Sequence, residues 1–355
     1  MGEQWRLFRH EGVSVPTAEG LALDDTLPWA VVNQSSPPIL HLYNFVPSAI
    51  VGKYQDIEAA LRLDRCRARG IEYNRRSTGG GTVIMGPTVV ALGLGINVDY
   101  PGLKKGIGGV FESLASVLIS SMETLGVNAG FRPKNDIEVG GRKLAGLSAA
   151  SEEGRALLFH TSLLVDFDVD LMTDIMNAPV IKLQDKGYNC FSQRMTTINE
   201  LAGRAVPMSE VMDAIQASFE NEFKISFRPD RPNEKELEAL EGFIKNRYTK
   251  TEWIFSNRHP RTRMGVGQLK TPGGLLEVYL SLSGSSIENL MITGDFFSTT
   301  EYINLLENTL KWTSAHKESI IANLEAVWKE GAIHGVSMDA LVDAILKAKE
   351  GQVRL

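Results

Sequence analysis

Three consecutive glycines, Gly79-Gly80-Gly81, follow Arg75-Arg76-Ser77-Thr78 between two stretches that read as strands. Three glycines in a row suit neither a helix interior nor a packed strand. They force a loop whose backbone can take positive φ and approach a neighbour closely. Their N–H groups can turn toward an anion such as a carboxylate or phosphate. The two arginines supply planar, permanently charged forks for the same anion. A surface turn with two solvated arginines is the plainer alternative. No Gly-Lys-Ser/Thr follows, so the loop is not a Walker P-loop.

The elements around this loop alternate irregularly. Residues 39–53 predict two short strands around Pro47, residues 55–70 a helix stopped by Gly70, and residues 82–98 one or two strands broken near Gly86-Pro87. Residues 109–126 give the clearest helix, with Val110, Phe111, Leu114, Val117, Leu118, Met122 and Leu125 in one stripe closed by Gly126. Residues 137–166 predict a hairpin turning at Gly140-Gly141. The segment Arg228-Pro229-Asp230-Arg231-Pro232-Asn233 has two prolines and no apolar residue, which suits a boundary. A helix (235–245), a strand-rich portion (265–292) and helices from Thr300 onward follow. The expected plan is a large α+β domain over residues 1–245 and a smaller C-terminal domain over 246–355, without internal repeats.

The 355 residues, 43% apolar and 23% charged, are enough for a full core without disulfides or metals. A net charge of -6 argues against nucleic acid or an anionic membrane as partner. No stretch approaches the roughly 20 apolar residues of a membrane span, and the first twenty residues lack a secretion signal's apolar core. Two cysteines, Cys66 and Cys190, cannot build a disulfide framework and point to a reducing, cytoplasmic setting.

Two further constellations carry chemistry. In Asn135-Asp136-Ile137-Glu138-Val139-Gly140-Gly141-Arg142-Lys143-Leu144-Ala145-Gly146, Asp136 can hold a metal ion bridging phosphate oxygens, and Lys143 can offer a point charge to a phosphate or a transferring acyl group. A charged hairpin facing water is the alternative. His160-Thr161-Ser162 enters the apolar run Leu163-Leu164-Val165, and no Gly-x-Ser-x-Gly elbow surrounds Ser162, so a serine triad is excluded. His160 and Ser162 are expected to line a pocket or sit satisfied in the core. The other histidines show no metal-binding spacing. The glycines at 93/95 and 106/108/109 lack the dinucleotide-binding order.

Taken together these runs resemble the lipoate–protein ligase family, within the group that includes biotin ligases and octanoyl transferases. Arg75 through Val83 is similar to that family's Arg-Arg-x-x-Gly-Gly-Gly-x-Val loop, and Asn135 through Gly146 to its Asn-Asp…Lys-Ile-x-Gly signature. His160-Thr161-Ser162-Leu163-Leu164 resembles its His-Gly-Thr/Ser-Leu-Leu strand, and Lys186-Gly187 with Arg194-Met195-Thr196 its Lys-Gly…Ser-Arg-Val-Thr segment. Trp253, Pro260, Gly273 to Val278 and Ile292 to Asp295 resemble the accessory-domain signatures.

The resemblance implies a biotin/lipoate-ligase-like mixed sheet flanked by helices, with a small C-terminal α/β accessory domain. It also implies a two-step reaction. Lipoate, or a related short acyl acid, attacks the α-phosphate of Mg-ATP to give lipoyl-AMP, and a lysine of a lipoyl-domain acceptor then takes the acyl group. That acceptor would be a 2-oxoacid dehydrogenase E2 or a glycine-cleavage H-type protein. On this reading Lys143 is catalytic. Arg75, Arg76, Gly79, Gly80, Gly81, Thr82, Val83, Gly146, His160 and Ser162 contact substrate or adenylate. Asn135 and Asp136 contact nucleotide or Mg2+, with Asp136 the metal ligand. Tyr43, Tyr73 and Val83 are candidate walls of the acyl tunnel.

Two departures stand out: Met85-Gly86-Pro87 replaces the usual His-Asp pair, and Thr161 replaces the usual Gly. An ATP-independent lipoyl or octanoyl transferase acting through a cysteine thiolate is the second expectation. A non-catalytic lipoate-binding homologue is the third.

Overall fold

The computed structural model describes residues 3–177, 194–256 and 264–351. Lys186, Gly187, Cys190 and Pro260 lie outside them. The chain enters through β1 (Gln4–Arg9) and β2 (Ile39–Tyr43), then makes a small sheet of β3 (Ser48–Val51), β4 (Glu72–Arg75) and β5 (Val83–Met85). It returns through β6 (Val89–Asn97), β7 (Gly130–Arg132), β8 (Asp136–Val139), β9 (Arg142–Glu152) and β10 (Ala156–Leu164), and later adds β11 (Ser226–Pro229). The main sheet runs β11-β1-β2-β6-β10-β9-β8-β7, with β1 parallel to both neighbours and every other pairing antiparallel. The small sheet is ordered β4-β3-β5.

Helices cover both faces of the main sheet. Gly106–Thr124 buries the predicted stripe, from Val110 and Phe111 to Met122, beside Met208–Phe223 and against Leu92, Leu94 and Phe159. The opposite face carries Thr17–Gln34, a helix the sequence did not signal. Eleven of its residues are buried, among them Asp24, Asp25 and Pro28, so it has no polar stripe to set a helical period. It lies close on β6 because Gly93 and Gly95 carry no side chain. A Cβ at Gly95 would stand 2.5 Å from the Leu27 carbonyl carbon.

Residues 55–70 form two short helices rather than one, Ile57–Ala60 and Leu63–Ala68. Leu61 is extended between them and bridges to Met176, while the Arg62 N–H donates to the Ile175 carbonyl at 2.8 Å. The proline-rich segment read as a boundary instead supplies β11 at the sheet edge. Asp230 and Glu236 there hold the buried Arg6 at 2.7 and 2.5 Å. Prolines and charges suit an exposed edge strand as well as a linker, so composition misled.

Past residue 264, β12 (Gly265–Thr271), β13 (Gly274–Ser283) and β14 (Ser286–Gly294) form a separate antiparallel sheet. Its apolar face packs on helices Thr300–Leu310, Lys317–Glu325 and Met338–Glu350. The whole is a mixed α+β fold with a large helix-flanked sheet and a small C-terminal sheet-and-helix region. No helix among the described residues is long and apolar enough to cross a membrane.

Candidate active site

The loop after β4 is organised by its own arginine. Arg76 is buried and donates to the carbonyls of Gly79 (2.7 Å), Gly81 (2.8 Å) and Ile50 (3.3 Å) and to Thr78 Oγ1 (3.1 Å). From the facing strand β9, Ser148 Oγ donates to Thr78 Oγ1 at 2.7 Å or to the Gly79 carbonyl at 2.8 Å. Arg75 is more deeply committed. Its guanidinium meets the carbonyls of Gly52, Lys53, Gln55, Trp253, Ile254 and Ser256 at 2.6–3.3 Å, with none of its surface exposed. Burial draws both arginines down to about 10, which leaves them charged at neutral pH. Arg75 thus lines neither cavity described below, whereas Arg76 lines the smaller one with its donors on the loop and on Ile50.

The glycines divide in the same way. A Cβ at Gly79 would lie 2.5 Å from the Phe296 carbonyl oxygen. Gly80, at φ +92°, faces Arg76 Nη2 and the Phe297 ring. These two admit the 296–297 segment of the C-terminal region and line neither cavity described below. Gly81 is the glycine of the three that lines a cavity.

Across the main sheet, Asp136, Gly146 and Ser162 stand abreast on β8, β9 and β10. The tight turn at Gly140 and Gly141, both at positive φ, returns the chain so that Lys143 folds back over this row. Its Nζ lies 2.8 Å from Asp136 Oδ1, and a Cβ at Gly146 would be 2.6 Å from that Nζ. Only a glycine leaves the lysine this path. Asn135 brackets the row by exchanging hydrogen bonds with the Leu147 backbone, both at 2.8 Å. The segment Arg194-Met195-Thr196 docks alongside, with the Thr196 N–H on the Lys143 carbonyl at 2.9 Å.

Two cavities meet here. The larger, about 1030 Å3, lies between the main sheet and the C-terminal sheet, and its walls carry Arg132, Lys134, Lys143, Arg194 and Lys270. The smaller, about 80 Å3, shares Gly81, Thr82, Val83, Asn135, Lys143, Gly146 and Ser162 with it, then runs inward between Leu21, Tyr43, Phe45, Ile50, Met85 and Leu92. Tyr43 and Val83 both line this smaller cavity. Tyr73 does not, its ring packing near Phe255 and Arg67 instead. Met85, standing where the resemblance predicts histidine or aspartate, makes that wall apolar.

Sequence reasoning missed the polar floor of the smaller cavity. Asp24 Oδ1 is 2.8 Å from His41 Nδ1, and Oδ2 accepts from the Tyr43 hydroxyl at 2.8 Å and stands 3.3 Å from His160 Nδ1. Burial raises Asp24 to about 6 and lowers His160 to about 4 and His41 to about 3, so both rings are neutral at pH 7. The neighbouring Asp25 serves the glycine loop, accepting from Ser77 Oγ at 2.5 Å, from Tyr248 at 2.6 Å and from Arg247. Two adjacent carboxylates inside the apolar run Leu21 to Leu27 were the available signal.

Among the described residues no three His, Cys, Asp or Glu side chains converge on a metal position, and Asp136 is held by Lys143. Asp136 lines the larger cavity and is the residue that would hold Mg2+ there together with substrate phosphates. Cys66 is buried in the cluster behind the small sheet, lines neither cavity, and has its thiol pushed up by burial.

Comparison with known proteins bears on the same residues. The profile of the lipoyl protein ligase A/B catalytic domain matches residues 16–220, and that of the bacterial lipoate protein ligase C-terminus matches residues 267–345. The chain is 24% identical to octanoyltransferase LipM of Brevibacillus brevis over 275 residues, covering 71% of this chain and 98% of that protein. It is 25% identical to lipoate-protein ligase LplJ of Bacillus subtilis over 303 residues, covering 84% and 88%. The structure of P. falciparum LipL1 in complex with lipoate shares the fold across 98% of this chain and 99% of that one, with a TM-score of 0.74 at 15% identity. With the catalytic profile spanning more than half of its length, the chain belongs to the lipoyl protein ligase A/B family.

Proposed function

We propose that this member of the family is an ATP-dependent lipoate–protein ligase. It would activate lipoate or a related short acyl acid as the acyl-adenylate and pass the acyl group to a lysine of a lipoyl-domain acceptor. The observation that carries the reading is the position of Lys143 Nζ at the mouth where a large cation-walled cavity meets a narrow apolar one. The narrow cavity suits an acyl chain and the large one a nucleotide. A carboxylate at the row Gly146–Ser162 would face an α-phosphate across the lysine.

In the first step a carboxylate oxygen bonds to the α-phosphorus and pyrophosphate departs. In the second the acceptor amine attacks the acyl carbon, AMP leaves, and the amine's proton passes to solvent. Both steps gather negative charge on oxygens at the cavity mouth, and a fixed ammonium stabilises that charge where it develops. Asp136 holds Lys143 in place until the anion arrives. Mg2+ in such sites is bound by one or two carboxylates plus substrate phosphates, so it would travel with the nucleotide.

The similarity to LipM favours a second reading, acyl transfer without ATP. Cys66 lines neither cavity, and Cys190 lies outside the described residues. The C-terminal profile match and the C-terminal sheet that walls the larger cavity support the ligase. Purified protein incubated with lipoate, ATP and a lipoyl domain should release pyrophosphate and lipoylate the acceptor. Product formed only from an octanoylated carrier protein, with no pyrophosphate, would establish the transferase instead.

A further inference from the structure

The floor of the narrow cavity is polar where an apolar tail would ask for none. His160 lies two residues along β10 from Ser162, hence about 7 Å deeper from the mouth. Its ring lines the cavity, and its Nε2 is buried with no hydrogen-bond partner among the described residues. The Asp24 carboxylate fixes what that nitrogen can do. A bare lone pair on Nδ1 would repel Oδ2 at 3.3 Å, so Nδ1 carries the proton and Nε2 is left as an acceptor. The cluster is also built into the sheet. A Cβ at Gly93 would come within 2.2 Å of Asp24 Oδ1, so β6 is shaped around the carboxylate. A buried acceptor left unpaired costs free energy that an apolar residue would not, and such an atom calls for a partner.

We propose that the acyl site selects short acids that carry a hydrogen-bond donor, a thiol or hydroxyl, about seven ångströms from the carboxylate. With carbon–carbon bonds of about 1.5 Å in an extended zigzag, that depth corresponds to roughly the sixth to eighth carbon. Those are the positions of the sulfurs in lipoate. The dithiol form can donate to His160 Nε2, whereas the dithiolane and octanoate have no donor to offer. The inference rests on reading the narrow cavity as the acyl site, and it involves no bond made or broken.

Calorimetry without ATP tests it. The dithiol form of lipoate, the dithiolane and octanoate are titrated into the full chain, the first with a phosphine reductant that also controls the octanoate run. The dithiol should bind about 3- to 10-fold more tightly than either other acid, the range expected of one neutral hydrogen bond. In His160→Leu the three affinities should converge, and His160→Gln, which keeps an acceptor, should restore part of the preference. Thermal unfolding of each variant reports whether it is folded, and the wild-type comparison needs no variant at all. Equal binding of the three acids by wild type, or a preference that survives in folded His160→Leu, overturns the inference. Binding of none of them removes the acyl-site reading as well. A preference found alongside a failed pyrophosphate assay would leave this inference standing and remove only the ligase.

Discussion

Lys143 and Gly146 illustrate how one side chain's absence can position another's charge. The lysine crosses the glycine so closely that a Cβ there would meet Nζ at 2.6 Å, yet the clashing atom is the end of a flexible chain. Gly146→Ala should therefore fold normally and lower adenylate formation by about 10- to 100-fold, because the displaced ammonium no longer faces the cavity mouth. Lys143→Ala should cost several orders of magnitude in the same pyrophosphate assay with little change in melting temperature, since the lysine is partly exposed and its pair with Asp136 contributes at most modestly. Wild-type turnover in either variant would remove the lysine from the mechanism.

The buried cluster beneath makes a second prediction at this scale. His160 and His41 have folded pKa values below their ordinary one, so the unfolded chain binds more protons between about pH 4 and 6.5, and stability rises with pH there. Asp24, raised to about 6, has the opposite sign over nearly the same window. Two histidines outweigh one aspartate, so the unfolding free energy should increase from pH 4 to 6.5. His160→Gln should flatten that slope. Urea titrations across the range measure it, and a falling slope in wild type would contradict the neutral assignment of the rings.

At the scale of elements, what the sequence made legible follows periodicity. The amphipathic helix Gly106–Thr124, the broken pair β5 and β6, and the turn at Gly140-Gly141 were all predicted from residue pattern, and that turn brings Lys143 and Asp136 together. Helix Thr17–Gln34 was invisible because burial on nearly every side erases the pattern, and with it went Asp24 and Asp25. The glycine loop was found, but not the protein segments that pack on Arg75, Gly79 and Gly80. Local sequence cannot distinguish a glycine that meets a ligand from one that meets Phe296, nor an arginine aimed at an anion from one enclosed by six carbonyls. That distinction comes, for the glycines, from Phe296 and Phe297 and, for the arginine, from residues 244–256, all more than 160 positions away from the loop. There Trp253 Nε1 donates back to the Arg75 carbonyl at 2.9 Å, while Tyr248 and Arg247 hold Asp25. Arg75→Lys should then destabilise the fold by about 3 kcal/mol or more, because an ammonium cannot satisfy six buried carbonyls. A melting temperature within a degree or two of wild type would refute that structural role.

Over the whole molecule the two regions divide the chemistry between two cavities. Among the described residues the narrow one is walled by the larger region alone, whereas the broad one has Gln268, Lys270 and Glu277 from the C-terminal sheet as its outer wall. Contact is close enough for Phe296 and Phe297 to pack on Gly79 and Gly80, and Lys134 and Asp295 approach to 3.9 Å beside them. If nucleotide and acid occupy separate cavities, substitutions should separate kinetically by the cavity they touch. Lys270→Ala removes a cation from the broad cavity alone and should raise KM for ATP by roughly 5- to 20-fold, the equivalent of a charge-assisted contact, with KM for lipoate unchanged. Met85→Phe adds bulk only to the narrow cavity and should raise KM for lipoate while leaving KM for ATP alone. Steady-state pyrophosphate release at varied concentrations of each substrate distinguishes the two patterns. If both variants shifted both constants together, the cavities would act as one site, and assigning acid and nucleotide to opposite sides of Lys143 would fail.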